Sequence, residues 1–145
     1  MLTWLLRVPF RNKGLRYFCK TEDFYRQKIA WASVGETYYS LVKEGTFLLD
    51  TNYFLTTKKH IKYLLAILNS KLITQWINSE DTQIGGGGAF RHYKYNLEKL
   101  NIPKPKNDLE HQIEKLLQEK DYQGIDKLVY ELYNLNTEEI EFIDS

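Results

Sequence analysis

Arg91, His92, Tyr93 and Lys94 stand in one unbroken run, and four consecutive glycines, Gly85, Gly86, Gly87 and Gly88, precede them with only Ala89-Phe90 between. A guanidinium, an imidazole, a phenol and an ammonium so close together supply donors for phosphate oxygens and base edges. They do not form a machinery for breaking bonds. Glycine admits backbone angles closed to other residues and lets another surface approach the main chain, at a cost in backbone entropy. A bare loop ending in cations and aromatics points to a large anionic partner, nucleic acid.

Arg91 is the strongest candidate for reading a base, because its fork can bond both acceptors of one guanine edge. A phosphate clamp, or an ion pair to Glu80 or Asp81, competes for the same side chain. His92, Tyr93 and Lys94 are placed against the backbone or beside a base, and residues 85–88 against the sugar–phosphate wall. Gln83 suits an adenine edge. A hairpin over 35–46 offers Tyr38, Tyr39, Ser40 and Lys43. Strand side chains alternate, so at most one of Tyr38 and Tyr39 can face DNA. Lys58, Lys59, Lys62 and Lys71 suit phosphate contact, with a solvated helix face as the plainer use of each.

Other chemistries lack their residues. A phosphate loop needs Lys-Ser or Lys-Thr opening a helix after its glycines, and a dinucleotide turn needs spaced glycines after a strand. The histidines, His60, His92 and His111, are scattered, and the single cysteine, Cys19, cannot complete a metal quartet with them. His60 is expected in solvent at the start of a helix. Glu80 and Asp81 read as solvated loop carboxylates, and no nucleophile sits in an elbow motif. Neither a catalytic residue nor a metal ligand is assigned. A binding module fits better than an enzyme.

The charge distribution agrees. Residues 1–106 carry 17 Lys and Arg against 8 Asp and Glu, whereas 107–145 carry 3 against 11. A basic body of net +9 and an acidic tail of net −8 therefore hide behind a whole-chain charge of +1. An anionic partner for the body is one explanation, and mutual docking of the two halves is the other. With one cysteine, no apolar run near the roughly 18 residues of a membrane span and no leader-like start, a soluble cytoplasmic protein is expected.

The elements that must position these residues follow from periodicity. Residues 1–27 are basic and aromatic, with Arg7, Arg11, Lys13, Arg16, Lys20 and Arg26, and show no clear period. Short β-branched and aromatic runs over 28–34, 37–42, 46–50 and 53–56, separated by Gly, Asn and Asp, read as a β-meander. Thr57 is expected to cap a helix over 58–77 whose face is Ile61, Leu64, Leu65, Leu68, Leu72 and Trp76, with Asn69-Ser70 bending or splitting it. Residues 78–92 read as a loop and 93–100 as a short helix ended by Pro103 and Pro105. Helices over 108–119 and 122–135 follow, and Asn136 with Glu139 opens a last one. Trp31, Phe47, Leu68 and Trp76 are assigned to the core. The fold class is α+β, a small mixed or antiparallel sheet packed with helices, then a C-terminal helical segment. The division expected is a recognition body over 1–106 and an acidic helical extension over 107–145.

Several segments together resemble a known family. In order they are Lys28-Ile29-Ala30-Trp31, Asp50-Thr51-Asn52-Tyr53-Phe54-Leu55, Leu64-Leu65-Ala66-Ile67-Leu68-Asn69-Ser70-Lys71-Leu72, the glycine loop with Arg91, Leu97-Glu98-Lys99-Leu100-Asn101-Ile102-Pro103, and the run from Asp126 to Glu139. This set resembles the TaqI-like C-terminal specificity domain, the target recognition domain of type II (IIG) restriction–modification enzymes and N6-adenine DNA methyltransferases, with related modules in type I specificity subunits. The resemblance covers roughly 26–141. It implies recognition of a double-stranded DNA sequence, with a methyltransferase or endonuclease domain or subunit as partner. It implies no catalysis by this chain, no cofactor of its own, and S-adenosylmethionine and Mg only in the partner's catalytic parts. The Asn-Pro-Pro-Tyr/Phe motif of those parts is not here, where the prolines are Pro9, Pro103 and Pro105. The first 25 residues match poorly, so the start of the module is expected to be incomplete. Asn134 stands where the family has Gly, compatible with a left-handed helix end. A protein-interaction module or a non-specific nucleic-acid binder is the alternative.

Overall fold

The computed structural model describes residues 21–145, so the expectations for Cys19 and the cations from Arg7 to Lys20 lie outside the described residues. The elements run α1 (Thr21–Tyr25), β1 (Lys28–Ala32), β2 (Val34–Gly35), β3 (Ser40–Val42), β4 (Asn52–Leu55), α2 (Ile61–Leu68), α3 (Lys71–Glu80), β5 (Thr82–Ile84), β6 (Ala89–Arg91), α4 (Lys94–Glu98), α5 (Asn107–Glu119), α6 (Tyr122–Leu132) and α7 (Thr137–Asp144). Two three-stranded antiparallel sheets form, ordered β3-β1-β4 and β2-β6-β5. The class is α+β with a helical C-terminal part. Ser33, between β1 and β2, ties the sheets together: its N–H donates to the Thr51 carbonyl and its carbonyl accepts from His92 N–H. None of the helices among the described residues is long and apolar enough to cross a membrane.

β1 is the central strand of the first sheet and is buried on both faces, which is why Lys28-Ile29-Ala30-Trp31 reads as a mostly apolar run. Lys28 is the exception within it. Its Nζ donates to the carbonyls of Phe24 (2.7 Å) and Thr46 (2.8 Å) and lies 5.9 Å from the Phe54 ring. Burial holds its pKa below the usual lysine range. The Thr46 carbonyl is thereby occupied, and β3 and β4 already fill both edges of β1. Residues 46–50 find no strand partner and run as a loop, contrary to the β expectation. Phe47 is 63% exposed and leans edge-on against Tyr25, so it is not core.

The helix expected over 58–77 splits at Asn69-Ser70, one of the two outcomes the sequence allows there. Thr57 does not cap it: its hydroxyl accepts from Lys59 N–H and donates to the Lys59 carbonyl, closing a local turn. The helix opens after His60, which holds a left-handed φ of 63°, and the His60 ring is fixed by Glu110 of α5 at 2.8 Å rather than solvated. At the split, the Ser70 hydroxyl caps α3 by accepting from Ile73 N–H and donates to the Ile67 carbonyl. Asn69 reaches sideways to Tyr39, accepting from its N–H (2.9 Å) and donating to its carbonyl (2.8 Å). The Leu-Asn-Ser step thus turns the chain and pins the loop before β3 in one move.

α5 packs on α2, α6 on α2 and α3, and α7 on α3, so Ile113, Ile125 and Val129 join Ile29, Trp31, Leu64, Ile67, Leu68, Ile73 and Ile77 in one apolar core. Trp76 is only partly buried against it. Asn134 takes a left-handed φ of 53°, and Asn136 with Glu139 forms the reciprocal cap that opens α7, both as the sequence indicates.

Candidate nucleic-acid interface

The stretch expected to be loop, 78–92, contains a hairpin. α3 continues to Glu80, and β5 and β6 pair through Thr82–Arg91, Gln83–Phe90 and Ile84–Ala89 with the four glycines as the turn. Gly85 and Gly88 have φ of 65° and 75°, a region that L side chains rarely adopt, so the turn itself requires glycine at its two ends. The whole turn is exposed.

One step below the paired residues, the same register brings Asp81 opposite His92. The Asp81 side chain is 2% exposed and that of His92 5%. His92 Nδ1 lies 2.7 Å from Asp81 Oδ2, and Nε2 lies 3.2 Å from the Gly35 carbonyl. Both facing atoms are acceptors, a carboxylate oxygen and a backbone carbonyl. Asp81 Oδ1 also accepts from Tyr93 N–H (3.2 Å) and from Asn96 Nδ2 (2.9 Å), and Asn96 Nδ2 reaches the Glu80 carbonyl. One buried carboxylate therefore locks α3, both ends of the hairpin and the start of α4. Thr37 and Asn78 are hydrogen-bonded across the same junction.

Cross-strand partners point to the same side of a sheet. Val34, Arg91 and Thr82 form one such row, and Ile84 with Ala89 form the next. Tyr93, in extended backbone, turns to this side too, and the Thr82 hydroxyl lies 3.4 Å from its hydroxyl. The face is open: Val34 is 46% exposed and Ile84 37%, and Arg91 is exposed. The carboxylates that might have neutralised Arg91 are engaged elsewhere, Asp81 with His92 and Glu80 with Lys99 (2.9 Å). Beside the face, Tyr93 stacks on the exposed Tyr95 at 5.3 Å, and Lys99 Nζ sits 5.6 Å from the Tyr95 ring.

The remaining candidates sort by position. Gln83 is exposed, but its row is Gly35, Phe90 and Gln83, on the opposite side from Arg91. His92 is a buried brace and presents no ring to solvent. Lys94 is half-buried and pairs with Glu98 at 3.0 Å. Tyr39 is buried against Trp31, and burial with the nearby Asp81 charge drives its pKa above the usual tyrosine value. Tyr38 is the exposed one of that pair. Lys43 and Lys58 are exposed and lie off the hairpin, Lys43 just beyond β3 and Lys58 ahead of α2. Lys71 is held by the C-terminal helices: Nζ meets Asp144 at 2.8 Å and its N–H donates to Asp126 at 2.9 Å. The hydrogen bond to Asp144 raises the Lys71 pKa and lowers that of Asp144, while burial raises that of Asp126.

Sequence reasoning missed Asp81, Asn96, Val34, Thr82 and Ile84. A signal did exist. Folding the chain about the midpoint of the glycines sets Thr82 opposite Arg91 and Asp81 opposite His92, which a hairpin reading of 81–92 would have shown.

No family model matches the chain. Over 127 residues it is 30% identical to the type II methyltransferase M.BstVI of Geobacillus stearothermophilus. That alignment takes in 84% of this chain and 22% of the relative, so the chain spans about a fifth of the length of the curated protein it matches.

Proposed function

We propose that this chain is a target recognition module of a restriction–modification system, of the TaqI-like C-terminal specificity type, and that it binds double-stranded DNA in a sequence-dependent way without catalysing a reaction itself. The observation that carries this reading is Arg91. Its guanidinium stands on an open sheet face with the nearby carboxylates turned to other partners, on a hairpin braced by the buried Asp81–His92 pair. A charge held on a rigid element and left without a carboxylate partner among the described residues suits recognition. The match to a small part of a type II methyltransferase supports the setting, since a recognition module occupies only a fraction of such an enzyme. Catalysis, S-adenosylmethionine and Mg belong in this reading to a partner domain or subunit. The body over 1–106 does the recognising, and the acidic helices over 107–145 buttress it.

Arg91 takes the base-reading role. Residues 85–88, Tyr93 and the exposed Lys43 and Lys58 are the backbone contacts, and Gln83 can touch only what lies behind the ribbon. Tyr39, His92, Lys94 and Lys71 position these groups or balance charge. The test is selection of duplexes from a pool with a randomised centre. A recurring short motif is expected, with affinity falling as salt rises by a slope of about −0.9 per phosphate neutralised. Recovery of an unselective pool at any salt would contradict the reading.

A further inference from the structure

On the open face, Arg91 is not alone: Val34 lies directly across from it and Ile84 one row nearer the turn, two β-branched apolar side chains left in water. Each flanks the cation on a rigid face, Val34 on the β2 side and Ile84 on the β5 side, so an apolar group seated beside the Arg91 fork would meet one of them. The occupant must match an apolar contact beside a fork of donors, with a hydroxyl, Thr82, completing the row. In the major groove of a duplex, which is wide enough for a two-stranded ribbon, guanine offers two acceptors to an arginine, and thymine alone offers a methyl group.

We infer that the β5–β6 ribbon, with β2 beside it, reads a thymine next to the guanine that Arg91 contacts, the thymine C5-methyl packing on Ile84 or, on the other side of Arg91, on Val34. The inference rests on the DNA-binding reading above and adds a base to it. Thr82, held toward Tyr93, fixes the register of the row. Phe90 and Gln83 take no part, because they lie on the other face.

The test uses the full chain and the duplex its own selection yields, with each thymine replaced in turn by uracil, which removes only the methyl. At one thymine within two base pairs of a guanine, the parent should lose affinity about fourfold, the worth of one buried methyl group. Val34→Ser/Ile84→Ser should show equal affinity for the thymine and uracil duplexes at that position. The thymine-to-uracil ratio is read within one protein preparation, so partial unfolding of the variant does not alter it. The single variants Val34→Ser and Ile84→Ser assign the contact. If the selected site shows no uracil effect, or if the effect survives in the double variant, the inference is overturned while the DNA-binding reading stands. If the parent selects no duplex, both fall together.

Discussion

Arg91 and Lys71 are both exposed cations of the basic body, yet they meet opposite fates. Lys71 faces the acidic helices, where Asp144 and Asp126 take its ammonium and its N–H. His60 and Lys62 meet α5 in the same way, through Glu110 at 2.8 Å and Glu114 at 3.9 Å. Part of the charge asymmetry in the sequence is thus used inside the molecule, where the two halves pack on each other. Around the hairpin the carboxylates are turned inward or aside, and among the described residues Arg91 keeps none. Net charge alone therefore overstates the surface available to an anion. The useful quantity is the charge that the fold itself leaves unmatched, which on the hairpin is Arg91.

The comparison breaks most visibly at Asp81. Asp81→Ala leaves His92 buried without its carboxylate partner and takes one of the two acceptors from Asn96, and the expected loss is about 3 kcal/mol in urea unfolding. A loss under about 1 kcal/mol would mean that the brace is not what holds the hairpin. Arg91→Ala tests the open side: the unfolding midpoint should not move, while the selected duplex binds about 1–3 kcal/mol more weakly and choice relaxes at one base pair. On the helical side, Gly124→Ala places a Cβ 2.6 Å from Asp121 Oδ2, the cap of α6. It should cost about 1 kcal/mol of stability and leave DNA affinity unchanged.

Gly86→Ala/Gly87→Ala separates two uses of the glycines, because a Cβ at either position meets nothing within 4 Å. Stability should rise by about 0.4–1 kcal/mol, since the unfolded chain loses freedom. DNA affinity should fall if the bare turn lies against the sugar–phosphate wall.

The smallest effect is the pH dependence of the Lys71–Asp144 pair. The folded Asp144 pKa is lowered, so its contribution is present above the unfolded carboxylate value and is lost as pH falls through the folded one. Asp126, whose folded pKa is raised, works in the opposite sense and loses stability as pH rises through the carboxylate range. Urea midpoints across the acid range should fall less steeply toward low pH in Asp144→Asn than in the parent.

Periodicity in the sequence was enough for the α+β class, for the C-terminal helices and for the cap at Asn136. The split at Asn69-Ser70 was one of the two outcomes it allowed for the stripe from Ile61 to Trp76, although the Tyr39 that Asn69 holds could not be read locally. It misjudged residues 46–50 and Thr57. Residues 46–50 have the composition of a strand, but both edges of β1 were already taken. Thr57 has a capping side chain, but the side chain closes its own turn. At the site, residue type pointed to Arg91, whereas the face it shares with Val34, Thr82 and Ile84 needed the register. Polar loop residues gave no hint that Asp81 is buried, because that follows only once β5 and β6 are paired.

Amide chemical shifts of the labelled chain, followed while its selected duplex is added, test the division of the molecule most directly. Shifts centred on Val34, Gly35 and residues 82–95, with smaller ones at Lys43 and Lys58 and with 107–145 unmoved, are the expected result. Shifts centred on α5, α6 and α7, or spread evenly over every lysine-bearing surface, would contradict the account.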